Sequence, residues 1–272
     1  KDGREIVAVT PASAGWKFVG FAAVRLRPGE THGFATNGIE ACIVVLQCKV
    51  TVVAGTQTYS AIGNRESVFD DRPPVAVYVP PGTAVSIVAD TDAELGIASA
   101  PGSTQRPVRL IAPDSMKRSV RGTGANTRYV CDILPQTEPA DHLLVVEVRT
   151  PAGHSSSYPP HKHDTDNLPV ESSLEEPYYH RLNPAQGFAF QRVYTDDRSL
   201  DESLAVEDHD VVMVPRGYHP VGAPHGYELY YLNVMAGPSR RWIFRNDPAH
   251  AWIAGAADID ANRDAYAYGD LH

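Results

Sequence analysis

Apolar β-forming residues fall along this chain in short runs that glycine and proline interrupt, a pattern of strands and turns. Two runs, at 6–9 and 18–24, are separated by Pro11 and Gly15. Residues 27–30 read as a turn. Residues 40–53 read as one long buried strand, or as two strands around a tight bend near Gln47 and Cys48. Residues 75–88 read as strand, Pro80-Pro81-Gly82 turn and strand. Further strands are predicted at 143–149, 187–194, 210–214 and 226–237. Within 187–194, alternation sets Phe188, Phe190, Arg192 and Tyr194 on one face, against Ala189, Gln191 and Val193. Helix is predicted only in the tail after Trp242, whose last residues are expected to be mobile.

The two halves resemble each other. Tyr78-Val-Pro-Pro-Gly82 parallels Met213-Val-Pro-Arg-Gly217, and residues 29–53 parallel the stretch from His161 to Tyr179. The pattern predicts an all-β chain of two tandem barrels. One barrel is expected over residues 1–100 and another over 129–247, with a connecting stretch at 101–128 and a short, partly helical tail at 248–272. The basic residues of the connector, Arg121 and Arg128 among them, could grip phosphate but read first as solvated linker or an oligomer contact.

A hydrophobic content of 43%, with 22 prolines and 21 glycines, fits this loop-punctuated architecture. A net charge of -9 argues against nucleic acid or an anionic membrane as partner, but leaves an anionic small molecule open. Three cysteines without CxxC spacing read as incidental thiols. No apolar run approaches the ~18 residues of a membrane span, so a cytoplasmic protein is expected.

Chemistry concentrates in the second half. His161 and His163, two residues apart, share a face if the backbone is extended. A Glu175-Glu176 pair follows, of which alternation lets only one side chain look inward. The strand at 210–214 then ends in a Pro-x-Gly turn that delivers His219. Three imidazoles and a carboxylate suit a divalent first-row metal. The first half keeps His32 and Glu40 but has no His-x-His, so it is expected to be a scaffold.

This order of His-x-His, Glu, strand and third His resembles the motifs of the cupin, a small jelly-roll-like β-barrel. Tyr158-Pro-Pro-His-Lys-His-Asp164, Leu174-Glu-Glu176, Val212-Met-Val-Pro-Arg-Gly-Tyr-His-Pro220 and Thr10-Pro-Ala-Ser-Ala-Gly-Trp16 resemble, more narrowly, the 5-deoxy-glucuronate isomerase family of myo-inositol catabolism. One departure is Ser155, where that family leads us to expect Trp. The resemblance implies an aldose–ketose isomerase that uses one divalent ion, zinc first, with manganese, iron or nickel as alternatives. It also implies a small sugar-acid substrate and a homo-oligomer. Likeness to a sister family, a uronate ketol-isomerase, favours Glu176 over Glu175 as the ligand beside His161, His163 and His219. Glu175, Tyr218, Tyr230 and Tyr231 are then the candidates to move the proton. Arg192 is first choice to hold the substrate's carboxylate, followed by Arg216; Lys162 is a third substrate-binding candidate, although between two inward histidines it is expected to point away from the metal. The competing readings are another uronate isomerase, a metal-dependent cupin oxygenase, and a sugar-binding cupin without activity.

Overall fold

The computed structural model describes residues 4–254. Each half folds into a sandwich of one six-stranded and one four-stranded sheet. In the first half, the larger sheet runs Glu5–Val9, Gly20–Leu26, Ala93–Pro101, Ile39–Gln47, Val75–Val79 and Arg109–Ile111. In the second it runs Lys117–Arg121, Arg128–Leu134, Leu144–Thr150, Glu228–Met235, Glu176–Asn183 and Val211–Val214. Four successive strands of one order match four of the other, so the repeat is one of topology as well as of motif. The architecture is that of a two-domain cupin.

Several details follow from local sequence. The stretch at 40–53 is two strands, Ile39–Gln47 and Val50–Ala54, with the bend at Cys48, whose φ is 62°. Residues 101–128, expected as connector, instead carry Arg109–Ile111 and Lys117–Arg121, one edge strand for each large sheet. The first strand is only three residues long and the second is mostly charged, which hides them from a hydrophobicity pattern. Of the tail expected at 248–272, a single 3₁₀ turn at Ala251–Ile253 falls among the described residues; the remaining expectation lies outside them. Among the described residues no helix is long and apolar enough to cross a membrane.

The apolar interior divides in three. One core fills the first barrel (Val24, Ile43, Val77, Ile87 and neighbours) and another the second (Val146, Tyr178, Val193, Leu229 and neighbours). The third lies between the barrels, where the outer faces of the two large sheets meet, with Phe21 against Tyr179 at 5.4 Å between ring centres. The sheets approach closely at Gly96, where a Cβ would stand 2.7 Å from Leu232. Buried ion pairs cross this seam in both directions. Arg65 makes a two-pronged contact with Glu147 at 3.0 and 2.9 Å, and Arg181 reaches Glu94 at 2.8 Å.

The register also sets apart the corresponding positions of the two barrels. Glu40 pairs with Ala100 as Glu175 pairs with Ala236, so Ala41, Ile43 and Val45 occupy the places of Glu176, Tyr178 and His180. The interior of the first barrel is aliphatic there. Glu40 is thus the counterpart of Glu175 and not of the candidate ligand Glu176.

Candidate metal centre

Three strand ends and one turn bring the candidate ligands together. His161 lies in the two-residue strand His161–Lys162, held by Arg245–Asn246, and His163 follows it. Glu176 opens the strand Glu176–Asn183. His219 leaves a turn at Gly217, whose φ of 90° and whose missing Cβ, which would sit 2.3 Å from the Tyr194 carbonyl, both require glycine. Ligand atoms of His161, His163 and His219 lie within 4.8 Å of one another, and all three side chains are buried. Glu176 Oε2 stands 3.0 Å from His163 Nε2 and 3.3 Å from His219 Nε2.

The surroundings set the tautomers. His219 Nδ1 donates to the Gly217 carbonyl at 2.8 Å and His163 Nδ1 to that of Leu174 at 3.3 Å. Each Nε2 lone pair therefore faces the common centre beside an anionic oxygen. Burial favours neutral imidazoles at His161, held well below its ordinary range, and at His219, held down to about 4. At His163 the Glu176 carboxylate outweighs burial and raises the imidazole. His219 Nε2 is a buried polar atom without a hydrogen-bond partner. Converging lone pairs and a carboxylate, buried together, call for a cation, and this donor set fits a divalent metal. Asn233 donates to Glu176 Oε1 and fixes the carboxylate's rotation.

Beside the cluster opens a cavity whose wall includes His161, Tyr178, Tyr231, Asn233, Arg121 and Arg128. Ser157 links the Tyr178 hydroxyl at 3.0 Å to that of Tyr231 at 3.4 Å. Tyr231 thus keeps the place expected for it, and Tyr178, which sequence reading passed over, joins it.

The remaining candidates lie elsewhere. Glu175 turns its carboxylate to the first barrel, where it accepts from the backbone N–H groups of Lys17, Phe18 and Val19 at 2.7, 2.8 and 2.9 Å. Tyr230 belongs to the seam and donates to Glu147 at 3.0 Å. Tyr218, adjacent to His219 on extended backbone, points the opposite way and donates to Asp196 at 2.9 Å. Lys162 points away from the histidines, as expected, and grips Asp164 at 2.5 Å. The other Asp164 oxygen accepts the Gly217 N–H at 2.8 Å, which ties the His-x-His segment to the turn of His219. Arg216 is exposed.

Arg192 requires a correction. The inward face of Phe188–Tyr194 is Ala189, Gln191 and Val193, whereas Phe188, Phe190 and Arg192 face solvent. The aromatic residues suggested a pocket wall, but the small ones are those that fit beneath the opposite sheet. Arg192 pairs with Asp201 at 2.8 and 2.7 Å on the outer surface. An exposed pair of this kind contributes ~0–1 kcal/mol. Arg192→Ala is therefore expected to change kcat/KM by less than about twofold; a KM rise on the acid substrate of tenfold or more contradicts this placement.

Fold and site together define a bicupin with, among the described residues, one candidate metal centre, in its second barrel. Comparison with known proteins narrows that class. The KduI/IolB family profile matches residues 1–253, and the chain belongs to that family. The 5-deoxy-glucuronate isomerase of Geobacillus kaustophilus (strain HTA426) is 53% identical over 248 residues, covering 91% of this chain and 90% of that protein. The 5-deoxy-glucuronate isomerase of Bacillus subtilis (strain 168) is 50% identical over 246 residues, with 90% and 91% covered. The crystal structure of an IolB-like protein from Salmonella typhimurium LT2 superposes with a TM-score of 0.92 at 49% identity, covering 94% of this chain and 97% of that one. Oxalate decarboxylase of Lactobacillus farciminis shares the fold at 12% identity, with a TM-score of 0.63 and 93% and 87% covered.

Proposed function

We propose that this chain is an aldose–ketose isomerase converting 5-deoxy-D-glucuronate to 5-dehydro-2-deoxy-D-gluconate in inositol catabolism. The observation that carries the reading is its 53% identity, over nine-tenths of both chains, to a 5-deoxy-glucuronate isomerase. The site supports it. Moving hydrogen from C2 to C1 requires that the C2 proton be acidified and the resulting enediolate stabilised. His161, His163, Glu176 and His219 would hold a divalent ion, zinc in our reading, with manganese, iron or nickel as alternatives. Such an ion supplies Lewis-acid polarisation of the aldehyde and the C2 hydroxyl. Asn233 and the Gly217 and Leu174 carbonyls keep the ligands aimed. Burial raises the Tyr178 and Tyr231 phenols, so near neutral pH both stay protonated and donate to substrate oxygens rather than take a proton. A reducing, cytoplasmic setting fits the free thiols Cys42, Cys48 and Cys131.

Protein purified without added metal is expected to carry about one divalent ion per chain. Chelation should stop isomerisation as followed by NMR, and restoring the ion should recover it. Full turnover by chelated protein of verified metal content below a tenth contradicts the metal-dependent reading. Absence of turnover by the metal-loaded protein contradicts the isomerase itself.

A further inference from the structure

The hairpin joining the strands Lys117–Arg121 and Arg128–Leu134 sets Arg121 directly opposite Arg128. Directly opposed residues of an antiparallel pair share a face, so both side chains leave the ribbon on the same side. Alternation places Arg128 on the face of Val130, which belongs to the inner core of the second barrel. Both guanidinium groups accordingly line the cavity that His161 also lines. Their backing is partly visible. The Arg121 guanidinium lies 5.7 Å from the centre of the Trp242 ring, and Arg128 Nη1 donates to the Asn126 carbonyl at 3.1 Å. Asp132, on the same face of the hairpin, stands 3.8 Å from Arg121 as an ionic neighbour.

Other cations suit the carboxylate less well. Arg192 and Arg216 face solvent away from the barrel interior. Lys162 and Arg245 lie behind the His-x-His segment, engaged with Asp164, Glu171 and Asp196. For a chain with a net charge of -9, an anionic substrate needs a local positive field, and the opposed arginines supply one inside the cavity.

We propose that Arg121 and Arg128 form the subsite for the substrate's terminal carboxylate, anchoring an open-chain sugar acid while its carbonyl end lies at the histidine cluster. The assignment rests on the isomerase reading above. Two guanidinium forks match the planar carboxylate, and an ammonium does not. The contact exists in ground state and transition state alike, so its loss appears in KM.

The test compares parent, Arg121→Gln, Arg128→Gln and Arg128→Lys on 5-deoxy-D-glucuronate and on the neutral analogue whose carboxylate is reduced to an alcohol. The analogue is measured as an inhibitor if its turnover is too slow. Each Gln variant should raise KM for the acid by roughly 10- to 100-fold with kcat within a few-fold, and Lys should recover part of the loss. On the neutral analogue, parent and variants should agree within about twofold. Metal content and circular dichroism should match the parent throughout. An equal loss on both compounds makes the arginines structural and overturns the assignment, as does an unchanged KM on the acid. Failure of the parent to turn over the acid overturns the isomerase reading, and this subsite with it.

Discussion

Replacing His161 and His219 together by alanine is expected to remove the metal and lower kcat/KM by on the order of 10³-fold or more, with both barrels still folded. The magnitude follows from the several kcal/mol that Lewis-acid stabilisation supplies, at about 1.4 kcal/mol per tenfold in rate. The choice of residues matters. His163 is the imidazole nearest Glu176, with Nε2 3.0 Å from Oε2 against 3.3 Å for His219, and its loss would leave the buried carboxylate with Asn233 and the more distant His219 alone. His161 and His219 can be removed with that pair intact. Neither belongs to the apolar core of the second barrel. Elemental analysis after dialysis reads the metal, and circular dichroism reads the fold. One ion per chain retained by the double variant would place the metal elsewhere; loss of the β signature would make the cluster part of the framework.

The cluster of His161, His163, Glu176 and His219 was legible in the sequence because each member rests on a local rule. His-x-His on extended backbone shares a face, and a Pro-x-Gly turn needs the left-handed conformation that Gly217 adopts. Parity also limited the Glu pair to one inward member, but not to which one. The strands of the large sheets are buried on both faces, as in Ile39–Gln47, where every residue between the two ends is buried. Their sequences read as continuous apolar runs, so nothing in them separates the barrel interior from the seam between barrels. Tyr230 and Tyr231, adjacent and equally buried, fall on opposite sides of that line. The proton-transfer candidates Glu175 and Tyr230 were misplaced for this reason. That Arg121 and Arg128 line the same cavity as His161 was hidden for another reason, since a short hairpin rich in charge gives no strand signal and reads as connector.

Glu40 and Glu175 bear on what holds the two barrels together. Glu40 accepts the consecutive N–H groups of Asp141, His142 and Leu143, each at 2.7 Å, where the chain enters the first inner strand of the second barrel. Glu175 does the same for Lys17, Phe18 and Val19 ahead of Gly20–Leu26. The repeat thus exchanges a carboxylate in each direction, and the segments so gripped touch where Phe18 meets His142, 5.3 Å apart. Glu40 is fully buried and takes a fourth bond, from the Tyr78 hydroxyl at 2.7 Å. Glu40→Ala strips an ionic acceptor from four donors, some beyond the reach of water. It is expected to cost on the order of 3–5 kcal/mol and to lower Tm by about 10 °C. Glu175→Ala should cost less, ~1–3 kcal/mol, because the Lys17 end of its clamp is exposed and water can replace the carboxylate there. Both variants should keep their metal and, well below the transition, their turnover, since neither carboxylate faces the histidine cluster. Because the two clamps close the same seam, their costs should not add in the double variant. Thermal unfolding of the single and double variants decides it: a Glu40→Ala protein that melts with the parent leaves the apolar seam as the main tie between the barrels.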